Sequence, residues 1–128
     1  MVLSDDLIEQ AMKAMNLRQP RWPKSEHNDC IRMAYQWLDA QQLTQGMRIE
    51  DWKHIVERWC GRYISDSDVE LAAFMHPKIE GKYPKYNISK RLTLPSSMRL
   101  SGIGEAGEHN PILRVGQPNK YKIIESDR

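Results

Sequence analysis

Between residues 78 and 99 the chain sets Lys78, Lys82, Lys85, Lys90, Arg91 and Arg99 against a single acid, Glu80. Ammonium and guanidinium groups gathered without counter-charge neutralise and anchor a polyanion such as a nucleic-acid backbone. The concentration is local. The 128 residues carry a formal net charge of only +2. Residues 1–76 hold 9 Lys and Arg against 12 Asp and Glu, a net of −3, whereas residues 77–128 hold 10 against 5, a net of +5. Tyr83 and Tyr86 are interleaved with the lysines. They either stack on unpaired bases or fold inward and leave a solvated loop. A second basic aromatic stretch, residues 17–24, places Arg18, Arg21 and Lys24 around Trp22. It reads either as an arm that touches nucleic acid or as a linker whose Trp covers the edge of the core.

Other chemistries leave fainter marks. The four histidines, at 27, 54, 76 and 109, are scattered and form neither an HExxH motif nor a Cys/His pair at ligand spacing. No zinc site and no other cofactor is expected. His54 sits on the exposed side of its helix and reads as a surface residue rather than a base. His76, just before Pro77, suits a helix end. Cys30 and Cys60 stand 30 residues apart with no CxxC pair, which fits two buried, reduced thiols in a cytoplasmic protein. The acids Asp66 and Asp68 fit helix capping better than catalysis. There is no GxxxxGK[ST] phosphate loop and no GxSxG elbow, so the chain is read as non-enzymatic, with a small nuclease ranked behind the binding functions.

The elements that must position these residues are legible in part. Leu7, Ile8, Ala11, Met12 and Met15 predict a helix over residues 4–16, capped by Ser4. Cys30, Ile31, Ala34, Trp37, Leu38 and Gln41 predict a second over residues 25–43, capped by Ser25 and ended by Thr44-Gln45-Gly46. Trp52, Ile55, Val56 and Trp59 predict a third over residues 49–60, stopped by Gly61. A fourth, over residues 66–75, has Ser67 and Glu70 at capping-box spacing and puts Val69, Ala72, Ala73 and Phe74 inward. Five of the seven prolines and five of the seven glycines follow residue 76, so no long helix is expected there. Short helical pieces are expected near 87–94 and from Ser96 or Ser97, with a loop over 101–110. Residues 112–124 predict a β-hairpin, in which Gly116-Gln117-Pro118-Asn119 turns between two β-prone runs.

The segment Leu113-Arg114-Val115-Gly116-Gln117-Pro118-Asn119-Lys120-Tyr121-Lys122-Ile123 resembles the wing of a winged helix-turn-helix DNA-binding domain. The resemblance covers about a tenth of the chain. It implies a helix-turn-helix built from 66–75, 87–94 and 96–101, with Lys90, Arg91, Ser96, Ser97 and Arg99 facing groove or phosphates, and Arg114, Lys120 and Lys122 on the wing. The chain departs from that pattern where Pro95 interrupts the recognition helix and where Glu105 and Glu108 precede the wing.

A hydrophobic content of 40% with four Trp supports a real core. No run of about 18 apolar residues suggests a membrane span, and the acidic start lacks the pattern of a secretory signal. The expected fold is mainly α with a small C-terminal β-hairpin, a helical bundle plus a winged-helix-like part. Residues 1–76 would form a helical part for dimerisation or partner contact and residues 77–128 a basic part, together one domain. The expected function is that of a nucleic-acid-binding protein, a small DNA-binding regulator or accessory factor in transcription regulation that acts by occupancy, with RNA a further partner. The competing expectation is a protein-interaction module, such as an inhibitor or adaptor from a mobile element, that uses the same lysines on an acidic protein surface.

Overall fold

Trp37 and Trp52, both fully buried, pack with ring centroids 6.0 Å apart, and Tyr86 adds a third ring 6.2 Å from Trp52. Around this aromatic row the computed structural model, which describes residues 3–18, 27–107 and 120–126, arranges four helices and two small sheets. The helices are α1 (Asp5–Arg18), α2 (Asn28–Asp39), α3 (Trp52–Cys60) and α4 (Asp66–Met75). The strands are β1 (Leu43–Ile49), β2 (Gly81–Lys82), β3 (Lys85–Ile88), β4 (Thr93–Leu94) and β5 (Ile123–Ile124), and a 3₁₀ turn spans Ser97–Leu100.

The helices follow their apolar periodicity. In α1, Ser4 Oγ accepts the Leu7 N–H, and Ile8, Met12 and Met15 are buried, while Leu7 is 46% exposed and leaves the stripe. In α2 the inner face is the predicted one, but the helix starts at Asn28, with His27 Nδ1 accepting the Asp29 N–H, and ends at Asp39. In α3, Trp52, Ile55, Val56 and Trp59 are buried, and Gly61 exits in the left-handed conformation at φ 71°. In α4 the capping box joins Ser65 and Asp68, two positions before Ser67 and Glu70. Phe74, expected in the core, is 38% exposed, because Val69, Ala72 and Ala73 already fill the side that meets α2.

Two stretches differ from expectation. Residues 43–46, read as the end of α2, belong to β1. The Gln41 side chain donates to Trp37 O (3.0 Å) and Thr93 O (2.9 Å) and accepts from the Thr93 N–H (2.9 Å), which stops the helix and turns the chain into the sheet. Residues 87–94, read as a short helix, are strand and turn. Tyr86, Asn87 and Ile88 are all buried, and β1 supplies the partner backbone.

The larger sheet has the order β1–β3–β2 and is antiparallel throughout. Ile49 pairs with Lys85 and Arg48 with Tyr86, but the next pair is Leu43 with Ile88, so residues 44–47 of β1 bulge opposite Asn87 alone. This sheet joins residues on both sides of position 76. The smaller sheet pairs β4 and β5 in parallel, Thr93 with Ile123 and Leu94 with Ile124. The predicted hairpin over 112–124 has its first run and turn outside the described residues. Of its second run, residues 120–124, only Ile123–Ile124 is strand, as β5, and the partner described for it is β4. The fold is α-rich with small sheets.

Candidate nucleic-acid interface

The β2–β3 hairpin is built on Gly81, whose φ of 118° is open to glycine and strained for other residues. A Cβ there would lie 2.1 Å from Lys85 O and 3.0 Å from the Met47 Cε that leans across from β1. The close approach pairs Lys82 directly with Lys85. Directly opposed residues of an antiparallel pair project to one face, so the two ammonium groups share it. Ile49, the partner of Lys85 on β1, extends the row across the sheet and is 67% exposed.

The turn is seated on α3. Trp52 Nε1 donates to Pro84 O at 2.7 Å, and the Lys53 N–H donates to Tyr83 Oη at 3.3 Å. Burial pushes the Tyr83 hydroxyl up to about 12 and that of Tyr86 still further. Both tyrosines fold inward; neither offers a ring for stacking on bases. On the other side of the hairpin the buried Asn87 accepts the Glu80 N–H (2.7 Å) and donates to Lys78 O (3.1 Å), fixing the segment before β2 that carries Lys78. Nothing in the local pattern singles out Asn87, Gly81 or Trp52 as positioning residues, because their partners lie on other elements.

The expected site residues separate into two groups. Lys78, Lys82, Lys85, Lys90 and Arg91 are exposed and take part in no ion pair among the described residues. The register brings Lys82 and Lys85 together. Lys78 stands three residues before β2, and Lys90 and Arg91 follow β3, where the Arg91 N–H donates to Ser89 Oγ. Lys82 also edges an open cleft of about 320 Å³ lined by Met15, Glu70, Ala73, Phe74 and Ile79.

The second group is engaged elsewhere. Arg99 donates to both Glu125 oxygens (2.6 and 2.7 Å), to Asp39 Oδ2 (3.0 Å) and to Gln36 Oε1 (2.9 Å). The hydrogen bonds to Glu125 outweigh burial and hold the Arg99 guanidinium above its usual range, while its own hydrogen bonds hold Glu125 below. Asp39 is raised by burial but more strongly lowered by hydrogen bonds from His76 and Arg99. Arg99, expected to face phosphates, is a structural clasp. Ser96 is buried, its Oγ accepting the Met98 N–H as a 3₁₀ cap and its N–H donating to Glu125. Ser97 is exposed on that turn, and the four-residue turn itself is shorter than a groove-reading helix. Lys120 Nζ lies 3.9 Å from Glu50, and Lys122 is exposed beside β5, its N–H bonded to Leu92 O. Arg114, and the Arg21, Trp22 and Lys24 arm, lie outside the described residues. Glu105, one of the two acids that precede the expected wing, is paired with Arg62 at 3.0 Å.

Among the described residues no group of three or more His, Cys, Asp or Glu could hold a metal ion, and no helix is long and apolar enough to cross a membrane. No family model matches the chain, and no curated protein or solved structure matches it significantly.

Proposed function

We propose that the protein binds nucleic acid through the β2–β3 hairpin and its flanks, and acts by occupancy as a small DNA-binding regulator or accessory factor. One observation carries the reading: Lys82 and Lys85 face each other across the hairpin and take part in no ion pair among the described residues. Like charges directly opposed destabilise a strand pair. A phosphate between them removes that repulsion and releases counterions on both sides. Lys78, Lys90 and Arg91 add further unpaired cations. With Tyr83 and Tyr86 turned inward, the chemistry of this surface is backbone contact, which positions without reading sequence. In the winged-helix form of the proposal, Arg114 and Lys122 would add contacts from the C-terminal segment.

A second reading has its own support. Leu43, Met47 and Ile49 on the edge strand β1 are 36%, 43% and 67% exposed, a strip suited to a protein partner.

Fluorescence titration against duplex DNA, single-stranded DNA and RNA at two salt concentrations tests both. Nucleic-acid binding predicts log K falling by about 0.9 per duplex phosphate neutralised for each decade of salt. It also predicts a loss of affinity of at least about tenfold in Lys82→Ala/Lys85→Ala, since the pair contributes two of those contacts. Absence of binding to all three at low salt overturns the proposal and leaves the protein-partner reading.

A further inference from the structure

Helix α3, on which the hairpin turn is seated, carries a second constellation. Asp51 precedes the helix in the capping position but makes no side-chain cap. Such a cap is worth about 1 kcal/mol and is the ordinary use of an aspartate there. The carboxylate turns instead to His54, with Oδ2 2.5 Å from Nδ1. This contact places the proton of a neutral imidazole on Nδ1 and leaves the Nε2 lone pair for another group. Arg58 stands one turn further along α3, exposed. Lys120 approaches from the C-terminal segment. Asp51, His54, Ile55, Arg58 and Lys120 line one open cleft of about 310 Å³.

A carboxylate-oriented imidazole is a general base. A guanidinium and an ammonium beside it match the charge that develops on a phosphodiester under attack. Among the described residues the cleft lining includes no Ser, Thr or Cys. A hydroxyl of the substrate adjacent to the phosphate can serve as nucleophile, and the ribose 2′-hydroxyl has that position. Along the chain, Asp51 lies two residues beyond Ile49, the partner of Lys85.

We infer that the Asp51–His54 cleft is a site for RNA transphosphorylation, an inference that rests on the nucleic-acid reading above. His54 Nε2 takes the proton of a 2′-hydroxyl. The 2′-oxygen forms a bond to the adjacent phosphorus, and the bond from phosphorus to the 5′-oxygen of the next nucleotide breaks. The leaving oxygen takes a proton from the Lys120 ammonium, and the proton on His54 returns to Lys120 through solvent. Arg58 stabilises the non-bridging oxygens. The products are a 2′,3′-cyclic phosphate and a 5′-hydroxyl; no water, oxidant or metal is consumed.

The test is incubation of the full chain with end-labelled single-stranded RNA, the same RNA with 2′-O-methyl groups, and DNA of the same sequence, all in EDTA. The expected result is cleavage of the unmodified RNA alone, with a cyclic phosphate identified by mass spectrometry. His54→Ala should lower the rate by at least about 100-fold, as loss of a general base does, with RNA affinity and melting temperature retained. Asp51→Asn, which keeps a capping side chain, should lower it less. RNA binding without cleavage, or cleavage that persists in His54→Ala, overturns the inference and leaves the binding function standing. Absence of RNA binding by the unaltered chain overturns the inference whether or not DNA is bound, and absence of binding to DNA as well removes the reading beneath it.

Discussion

Arg99 grips Glu125 with two hydrogen bonds, Nε to Oε1 at 2.6 Å and Nη2 to Oε2 at 2.7 Å, and so ties the 3₁₀ turn to the segment that follows β5. Asp39 at the end of α2 takes a third bond from the same guanidinium. A cation that local charge counting assigns to a polyanion is thereby spent inside the fold.

Replacing Arg99 by Ala should therefore affect stability rather than binding. It leaves the part-buried Glu125 without its fork, at a cost of about 1–3 kcal/mol. Thermal denaturation should show the loss, and nucleic-acid affinity should stay within about twofold of the parent, in contrast to Lys82→Ala/Lys85→Ala.

The same clasp sets an acid limit. Glu125 and Asp39 are held below their usual values of 4.5 and 3.8 in the folded state. A depressed carboxylate contributes stability that is present above its unfolded value and is lost as pH falls through its folded value. The C-terminal segment should loosen as pH drops below about 4.5. Trp fluorescence should report it, since Trp37 Nε1 donates to Tyr121 Oη at 3.1 Å just before β5. A signal unchanged down to the acid unfolding of the whole protein would contradict this.

Gly81→Ala should open the hairpin. The added Cβ has no room against Lys85 O, and the backbone sits at φ 118°. The expected cost exceeds about 1 kcal/mol, the usual penalty for a non-glycine residue in left-handed backbone. Affinity should fall with it, while the helical signal in circular dichroism stays. An equally tight Gly81→Ala protein would detach the hairpin from binding.

Trp52→Phe should keep the aromatic row but leave Pro84 O without its 2.7 Å donor, at a cost of about 1–3 kcal/mol. Amide exchange in β2 and β3 should accelerate more than in α1 or α4. Uniform acceleration would place the effect in the core instead.

Cys30 and Cys60 should resist alkylation in the native protein. Both are buried, and burial pushes the Cys60 thiol up to about 12, so little thiolate exists at neutral pH. Iodoacetamide should modify both only after unfolding.

The limits of α4 and the core face of α3 were legible in the residues themselves, because a helix is closed by contacts three and four positions apart. Ile55, Val56 and Trp59 declare their face to one another, and Gly61 declares the exit. The five cations of 78–91, exposed and in no ion pair among the described residues, were legible too, since Glu80 is the one acid among them in the chain. Phe74 and Leu7 misled for the converse reason: apolar periodicity marks a face but not how much of it a neighbour covers.

What the tertiary structure alone decided joins residues far apart. β1 exists because β3, some forty positions later, offers a partner backbone, and Gln41 leaves the helix for Thr93, 52 positions away. Arg99 is removed from the candidate surface by acids 26 and 60 positions distant, and the inward turn of Tyr83 depends on an amide of α3. The order of the chain determined the helices and the supply of charge. The closure of the fold determined which charges remain to act, because strand pairs and ion pairs are formed between neighbours in space, and those neighbours leave no periodic trace along the chain.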